Sequence, residues 1–219
     1  IADYVVPRKA DITKKRTPGD KRTELIFDGT AIHAAELMAA SLHGMLTNAS
    51  TPWFSLAYRE DDFNQDDAAR EWLEAATEVM YQHLARSNFQ EQIHELYSDL
   101  VTFGTGVMFI ENEGKDGVRF STRHIAECYV SENEDGRVDT VFRTYKTTAR
   151  AAAAQLGNGI TQRIAKMVQD DPYAEIELLH VVMPREDRNR RKKNAANKPF
   201  ASLYICLLYT SPSPRDVEE

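Results

Sequence analysis

Phe103-Gly104-Thr105-Gly106 is where the character of this chain changes. Upstream, Phe89, Ile93, Leu96, Tyr97 and Leu100 recur at helical spacing and line one face. Downstream, Val107-Met108-Phe109-Ile110 is a short apolar run closed by Glu111, which reads as a buried strand. Two glycines at such a junction invite a phosphate-loop reading, and the polarity argues against it. Phosphate loops run from strand to helix, so that helix N-terminal amides and the positive dipole end face the anion. Here the glycines follow a helix C-terminus, where the dipole is negative and free carbonyls point outward. Gly104 therefore reads as a helix-ending residue in left-handed conformation, and Gly106 as relief for close packing.

Working outward, the part before the junction is mostly helical. Residues 1–23 hold a short apolar start and a basic, Pro/Gly-bearing stretch, Lys14-Lys15-Arg16-Thr17-Pro18-Gly19, which reads as the end of an upstream helix and a loop. Asp28 is placed to cap a helix running to about Thr47, with Ile32, Ala35, Ala39, Leu42 and Leu46 on one face. Thr51-Pro52-Trp53-Phe54 then turns the chain and supplies two aromatic anchors for the core. Asp66-Asp67 sits where acids favour a helix start. Trp72, Ala76, Val79, Met80 and Leu84 form the expected buried stripe of the helix that follows. Ser87 with Gln90 fits a capping box opening the helix that ends at Phe103.

The part after the junction reads as strands at 107–111, 117–121, 127–130 and 137–145, with Asp135-Gly136 as a hairpin tip. Thr147 or Thr148 caps a short helix ending at Gly157, and a second short helix spans 161–168. Strands at 175–183 and from Phe200 to Ile205 flank a polar loop at 185–198. The fold class is α+β: a mostly helical first half, then a mainly antiparallel sheet with short helices. The stretch Leu207-Leu208-Tyr209-Thr210-Ser211-Pro212-Ser213-Pro214-Arg215-Asp216 resembles translated sequencing adapter, so 206–219 is set aside as non-native. With Ile1 in place of an initiator Met, the chain reads as a fragment truncated at both ends.

Bulk properties narrow the function. A net charge of −7 excludes a surface that grips nucleic acid everywhere. No apolar run approaches the roughly 20 residues a membrane helix needs. The only cysteines, Cys128 and Cys206, form no CxxC, so neither a zinc site nor a disulfide framework is expected and a reducing compartment is the natural reading.

The candidate chemistry is thin. His33, His43, His83, His94, His124 and His180 form no HxH or HxxxH pair. Glu132-Asn133-Glu134-Asp135-Gly136 lacks the spacing and closing Glu of a calcium loop and reads as a hairpin tip. Glu60, Asp61, Asp62, Asp66 and Asp67 offer carboxylates for a metal-dependent nuclease or phosphatase, although loop and helix-cap roles account for them with less. Arg188, Arg190, Arg191, Lys192 and Lys193 are the best basis for a nucleic-acid-binding module, tempered by Glu186 and Asp187 beside them. No GxSxG elbow surrounds Ser41, Ser55 or Ser121. No catalytic, cofactor-binding or metal-binding residue is assigned, and no enzyme is expected.

Five segments in register point elsewhere. They are Thr51-Pro52-Trp53-Phe54, then Leu84-Ala85-Arg86-Ser87-Asn88-Phe89 with His94-Glu95-Leu96-Tyr97 and Phe103-Gly104-Thr105-Gly106, then Gly136-Arg137-Val138-Asp139-Thr140-Val141-Phe142-Arg143 leading to Thr148-Ala149, then His180-Val181-Val182-Met183-Pro184-Arg185-Glu186-Asp187, and Asn197-Lys198-Pro199-Phe200-Ala201-Ser202. Together they resemble the head-to-tail connector, or portal, proteins of short-tailed (podovirus-type) phages. That resemblance implies a dodecameric homo-oligomeric ring at one capsid vertex, with capsid protein, packaging motor (terminase) and tail proteins as partners. Double-stranded DNA passes through its channel during genome packaging and ejection. It implies a place in the virion, and in the host cytoplasm during assembly, with no covalent chemistry, no cofactor and no membrane. Residues 1–205 then correspond to the N-terminal wing, helical over 24–104 and α+β over 105–205, with stem, clip and crown downstream. An acidic balance suits such a part, because a conduit that lets DNA slide should not hold phosphates tightly.

Overall fold

The computed structural model describes residues 1–12, 17, 19–59, 64, 66–112, 114, 117–192 and 194–207. The basic stretch Lys14-Lys15-Arg16, the acids Glu60, Asp61 and Asp62, Lys193 and the tail from Leu208 onward lie outside the described residues. The chain divides into two units, Ile1–Ile125 and Ala126–Glu219.

In the first unit, α1 (Ala2–Val5) and α2 (Thr30–Leu46) are followed by α3 (Asp67–Arg86) and α4 (Phe89–Phe103). The antiparallel ribbon of β1 (Val107–Asn112) and β2 (Val118–Arg123) completes it. α2 and β2 both pack on α4. The core is Ala39, Phe89, Ile93, Tyr97 and Phe120, backed by Leu42, Leu84, Leu96 and Met108. Ala39 is fully buried, so the small side chain brings α2 close to α4. Lys9 ties the N-terminal segment to α4 through Glu95 at 3.0 Å and the buried Asp99 at 2.8 Å.

Several local expectations are corrected here. The N-cap of α2 is Gly29; Asp28 sits one residue earlier and accepts from the Thr30 amide at 2.9 Å. Leu46 is 53% exposed, while the next residue, Thr47, is buried and bonds the Tyr97 hydroxyl of α4 at 3.2 Å. The α4 N-cap is Asn88, with no side-chain cap bond; Ser87 Oγ accepts from the Phe89 amide instead, and Gln90 turns to His43. On α3 the buried residue is Leu73, while Trp72, Val79 and Met80 are exposed. Only one flank of the α3 apolar arc is covered, and it is covered through polar side chains, which a hydrophobic stripe does not reveal. The β1 run is half-buried, not fully buried, and Ile110 is exposed, since a two-stranded ribbon covers one face at most.

The second unit is a four-stranded antiparallel sheet in the order β3-β4-β5-β6: β3 (Cys128–Glu132), β4 (Val138–Thr148), β5 (Glu175–Pro184) and β6 (Phe200–Leu207). The β3–β4 hairpin turns at Asp135-Gly136, with Gly136 at φ +71° as the turn requires. Between β4 and β5 run α5 (Ala149–Leu156), capped by Thr148 and ending at Gly157, and α6 (Gln162–Asp170), capped by Thr161. Ala152, Ile176 and Leu178 form the core with Tyr145, Met167 and Cys206 around them. Ile164 of α6 is fully buried. Both cysteines are free thiols, and burial pushes the Cys206 thiol up against the opposing pull of Arg163.

Candidate functional site

The glycine junction is structural. Gly104 adopts φ +76° as the α4 C-cap, and its amide donates to the Leu100 carbonyl at 2.9 Å. Gly106 lies against α4, where an added Cβ would be 2.5 Å from Leu96 Cδ1. Both follow the negative end of the helix, so no anion cradle forms.

The acids near residue 66 are engaged locally. Asp66 caps α3 by accepting from the Ala69 amide at 3.2 Å, and Asp67 pairs with Arg70 at 2.6 Å. Among the described residues no group of three or more His, Cys, Asp or Glu side chains is placed to hold a metal ion. The described residues give the nuclease alternative no metal-holding cluster, and its Glu60, Asp61 and Asp62 lie outside them.

His43, His94, His124 and His180 take individual partners. His43 bonds Gln90 at 2.6 Å and meets His94 with ring centroids 5.5 Å apart. Sequence spacing did not reveal this pair, because its members lie on different helices. His124 bonds the Lys9 carbonyl at 2.7 Å. His180 bonds Ser202 at 2.8 Å and stacks on Tyr204 at 4.1 Å.

The basic cluster sits on the β5–β6 loop. Asn189 and Asn197 brace that loop, and Arg185 bonds the Ala196 carbonyl at 2.6 Å. The adjoining cleft sets Arg185 and Arg188 among Glu132, Glu134, Asp139, Glu186 and Asp187. Five carboxylates beside two guanidiniums give a mixed field, unlike the one-sign surface that holds a phosphate backbone.

The most organised surface feature was not anticipated from sequence. Residues 52–58 run along α3, held by side chains of that helix and by Asn64. Tyr81 Oη accepts from the amides of Trp53 and Phe54 at 2.6 and 2.7 Å and donates to the Phe54 carbonyl at 2.9 Å. Thr77 Oγ1 accepts from the Leu56 amide at 3.1 Å. Asn64 bonds both the amide and the carbonyl of Tyr58. Phe54 stacks on Tyr81 at 4.4 Å, and Trp53 stacks on the buried Phe89 at 5.9 Å, so these aromatics do anchor the segment although Trp53 stays 38% exposed. A groove of about 840 Å³ follows the segment and α3.

Apolar side chains are exposed widely: Leu37, Met38 and Met45 on α2, Trp72 and Val79 on α3, and Tyr129, Leu203 and Ile205 on the sheet. No described helix is long and apolar enough to cross a membrane. Helices with a two-stranded ribbon in one unit and an antiparallel sheet with short helices in the other define an α+β protein.

Residues 1–207 match the family described as bacteriophage head to tail connecting protein, and the chain belongs to that family. The portal protein of Salmonella phage epsilon15 is 27% identical over 208 residues, covering 94% of this chain and 37% of that protein. The probable portal protein of Bordetella phage BPP-1 is 26% identical over 208 residues, covering 94% of this chain and 38% of its own length. The chain thus spans less than two fifths of the length of these curated relatives.

Proposed function

We propose that this chain is the N-terminal wing portion of a portal subunit. In this reading the complete protein assembles with copies of itself into a ring of twelve at one capsid vertex. Packaging motor and tail proteins dock there, and double-stranded DNA moves through the channel inward and later outward. Residues 1–205 supply wing structure and contribute no covalent chemistry; stem, clip and crown belong to the remainder of the complete protein. The subunit works in the virion at the portal vertex and passes through the host cytoplasm during assembly. The 206–219 stretch is read as foreign on sequence grounds; β6 and the family match both reach residue 207.

The observation that carries the reading is the family match, which runs through both units from residue 1 to 207. Exposed apolar flanks on helices and sheet support it, because a ring subunit buries such surfaces only in the assembly. The test is genetic. A phage deleted for the intact gene should form heads that contain no packaged DNA, with filling restored when the gene is supplied in trans. DNA-filled heads in its absence would end the proposal.

A further inference from the structure

His180 is a titratable side chain that is only 5% exposed. It stands on β5 at the period of two with Ile176 and Leu178, so the three share a sheet face. Ile176 and Leu178 belong to the core of the second unit, and an imidazole takes the third place in that row. The register sets Arg143 of β4 opposite it on one side and Tyr204 of β6 on the other. Its ring stacks on Tyr204 with centroids 4.1 Å apart and planes 4° from parallel. Its Nε2 is 2.8 Å from Ser202 Oγ of β6. Both of these side-chain contacts therefore tie β5 to β6.

The titratable groups on the elements around His180 come from three strands and one helix. Cys128 of β3 lies opposite Arg143, and Tyr145 of β4 and Cys206 of β6 lie one step along the same face. Arg163 of α6 acts on Cys206. Arg143 is held by Glu127 at 2.8 and 2.9 Å and lies over the Tyr145 ring at 3.7 Å. Tyrosine and cysteine are uncharged in the acid range. The Arg143–Glu127 pair is neutral as a whole, with its cation the member directly opposite His180. Two features thus oppose a charge on the His180 ring, its burial and that facing guanidinium.

We propose that His180 is an acid-sensitive latch between β5 and β6: neutral, it closes the pairing, and protonated, it loosens it. Stacking on Tyr204 opposes this sign, because a cation over a tyrosine face is attracted to it. Magnitudes decide. Such stacking favours the cation by about 30-fold at most, whereas near-complete burial disfavours a charged group by up to about 10³- to 10⁵-fold. The Ser202 hydroxyl accepts a hydrogen bond as readily as it donates one, so it serves either protonation state. Burial therefore wins, and the folded sheet refuses a proton that the unfolded chain accepts. Stability of the second unit is then full above histidine's ordinary value of about 6.5 and falls as pH drops below it.

Amide exchange of the 219-residue chain tests the latch. Protection factors of the amides shared by β5 and β6 are followed from pH 7.5 to 5, in wild type and in His180→Gln. Glutamine keeps a side-chain amide for Ser202 and does not titrate in this range. Wild-type protection should fall about tenfold more than that of the variant over the interval. The difference between the two proteins isolates His180 from the other five histidines. Should His180→Gln fail to fold, the nuclear magnetic resonance titration of the His180 ring in wild type decides alone. Its midpoint should lie below about 6. Equal pH responses in the two proteins, or a ring midpoint at or above about 6.5, would overturn the inference. Either result would leave the portal reading standing.

Discussion

A Cβ added to Gly106 would lie 2.5 Å from Leu96 Cδ1 and 3.3 Å from the Leu96 carbonyl oxygen. The chain thus leaves α4 by crossing back over its last turns with no space for a side chain. Leu96 Cδ1 can swing away, but its carbonyl is fixed in the helix. Gly106→Ala should therefore cost about 1–3 kcal/mol through overpacking. Gly104→Ala meets open space but must hold φ +76°, and should cost about 1–2 kcal/mol. Thermal unfolding of both variants checks this; a neutral Gly106→Ala would contradict the packing argument.

Lys9 gives the first unit a pH signature. Burial depresses its pKa, and the hydrogen bonds and charges of Asp99 and Glu95 together outweigh that, leaving it above its ordinary value of 10.5. The ion pairs then stabilise the fold fully below that value, and their contribution is lost as pH rises through the raised folded-state pKa. Lys9→Met leaves the Asp99 carboxylate buried without its cation and should cost roughly 3 kcal/mol at neutral pH. Denaturant titrations from pH 8 to 12 should show the wild-type advantage shrinking at the alkaline end. An advantage constant across that range would refute the assignment.

Tyr81 pins the main chain of Trp53 and Phe54 to α3. Tyr81→Phe keeps the ring on Phe54 and removes the hydroxyl that serves two amides and a carbonyl. The loss should be about 2 kcal/mol, with faster amide exchange at Trp53 and Phe54. Unchanged exchange would show that aromatic stacking alone holds the segment.

The β5–β6 loop should not act as a DNA clamp. Replacing Arg188, Arg190 and Arg191 together by Ala should change duplex DNA binding by the 219-residue chain no more than about twofold at physiological salt. Tight, salt-sensitive binding abolished by those substitutions would revive the nucleic-acid-module reading.

What the sequence disclosed follows from how local the cause is. The Gly104 stop, the Asp135-Gly136 turn and the Thr148 cap each depend on a few adjacent residues, and each is where the pattern puts it. The orientation of α3 depends on a distant segment. Its covered flank is made by Thr77 and Tyr81, whose hydroxyls bind main chain 21 to 28 residues away, so counting apolar residues chose Trp72 and Val79 instead. The His43–His94 contact likewise arises from tertiary placement. Family membership was legible through segments in register, while among the described residues no metal-holding cluster marks a site.

In the proposed function the complete protein is a ring-forming conduit of which this chain is the wing. Cryo-electron microscopy of the purified intact gene product tests it most directly. The account predicts closed rings of twelve subunits around a channel wide enough for duplex DNA, with residues 1–205 at the periphery, while the 219-residue chain alone yields no closed ring. An intact protein that stays monomeric, or a ring with these residues lining the channel, would contradict it.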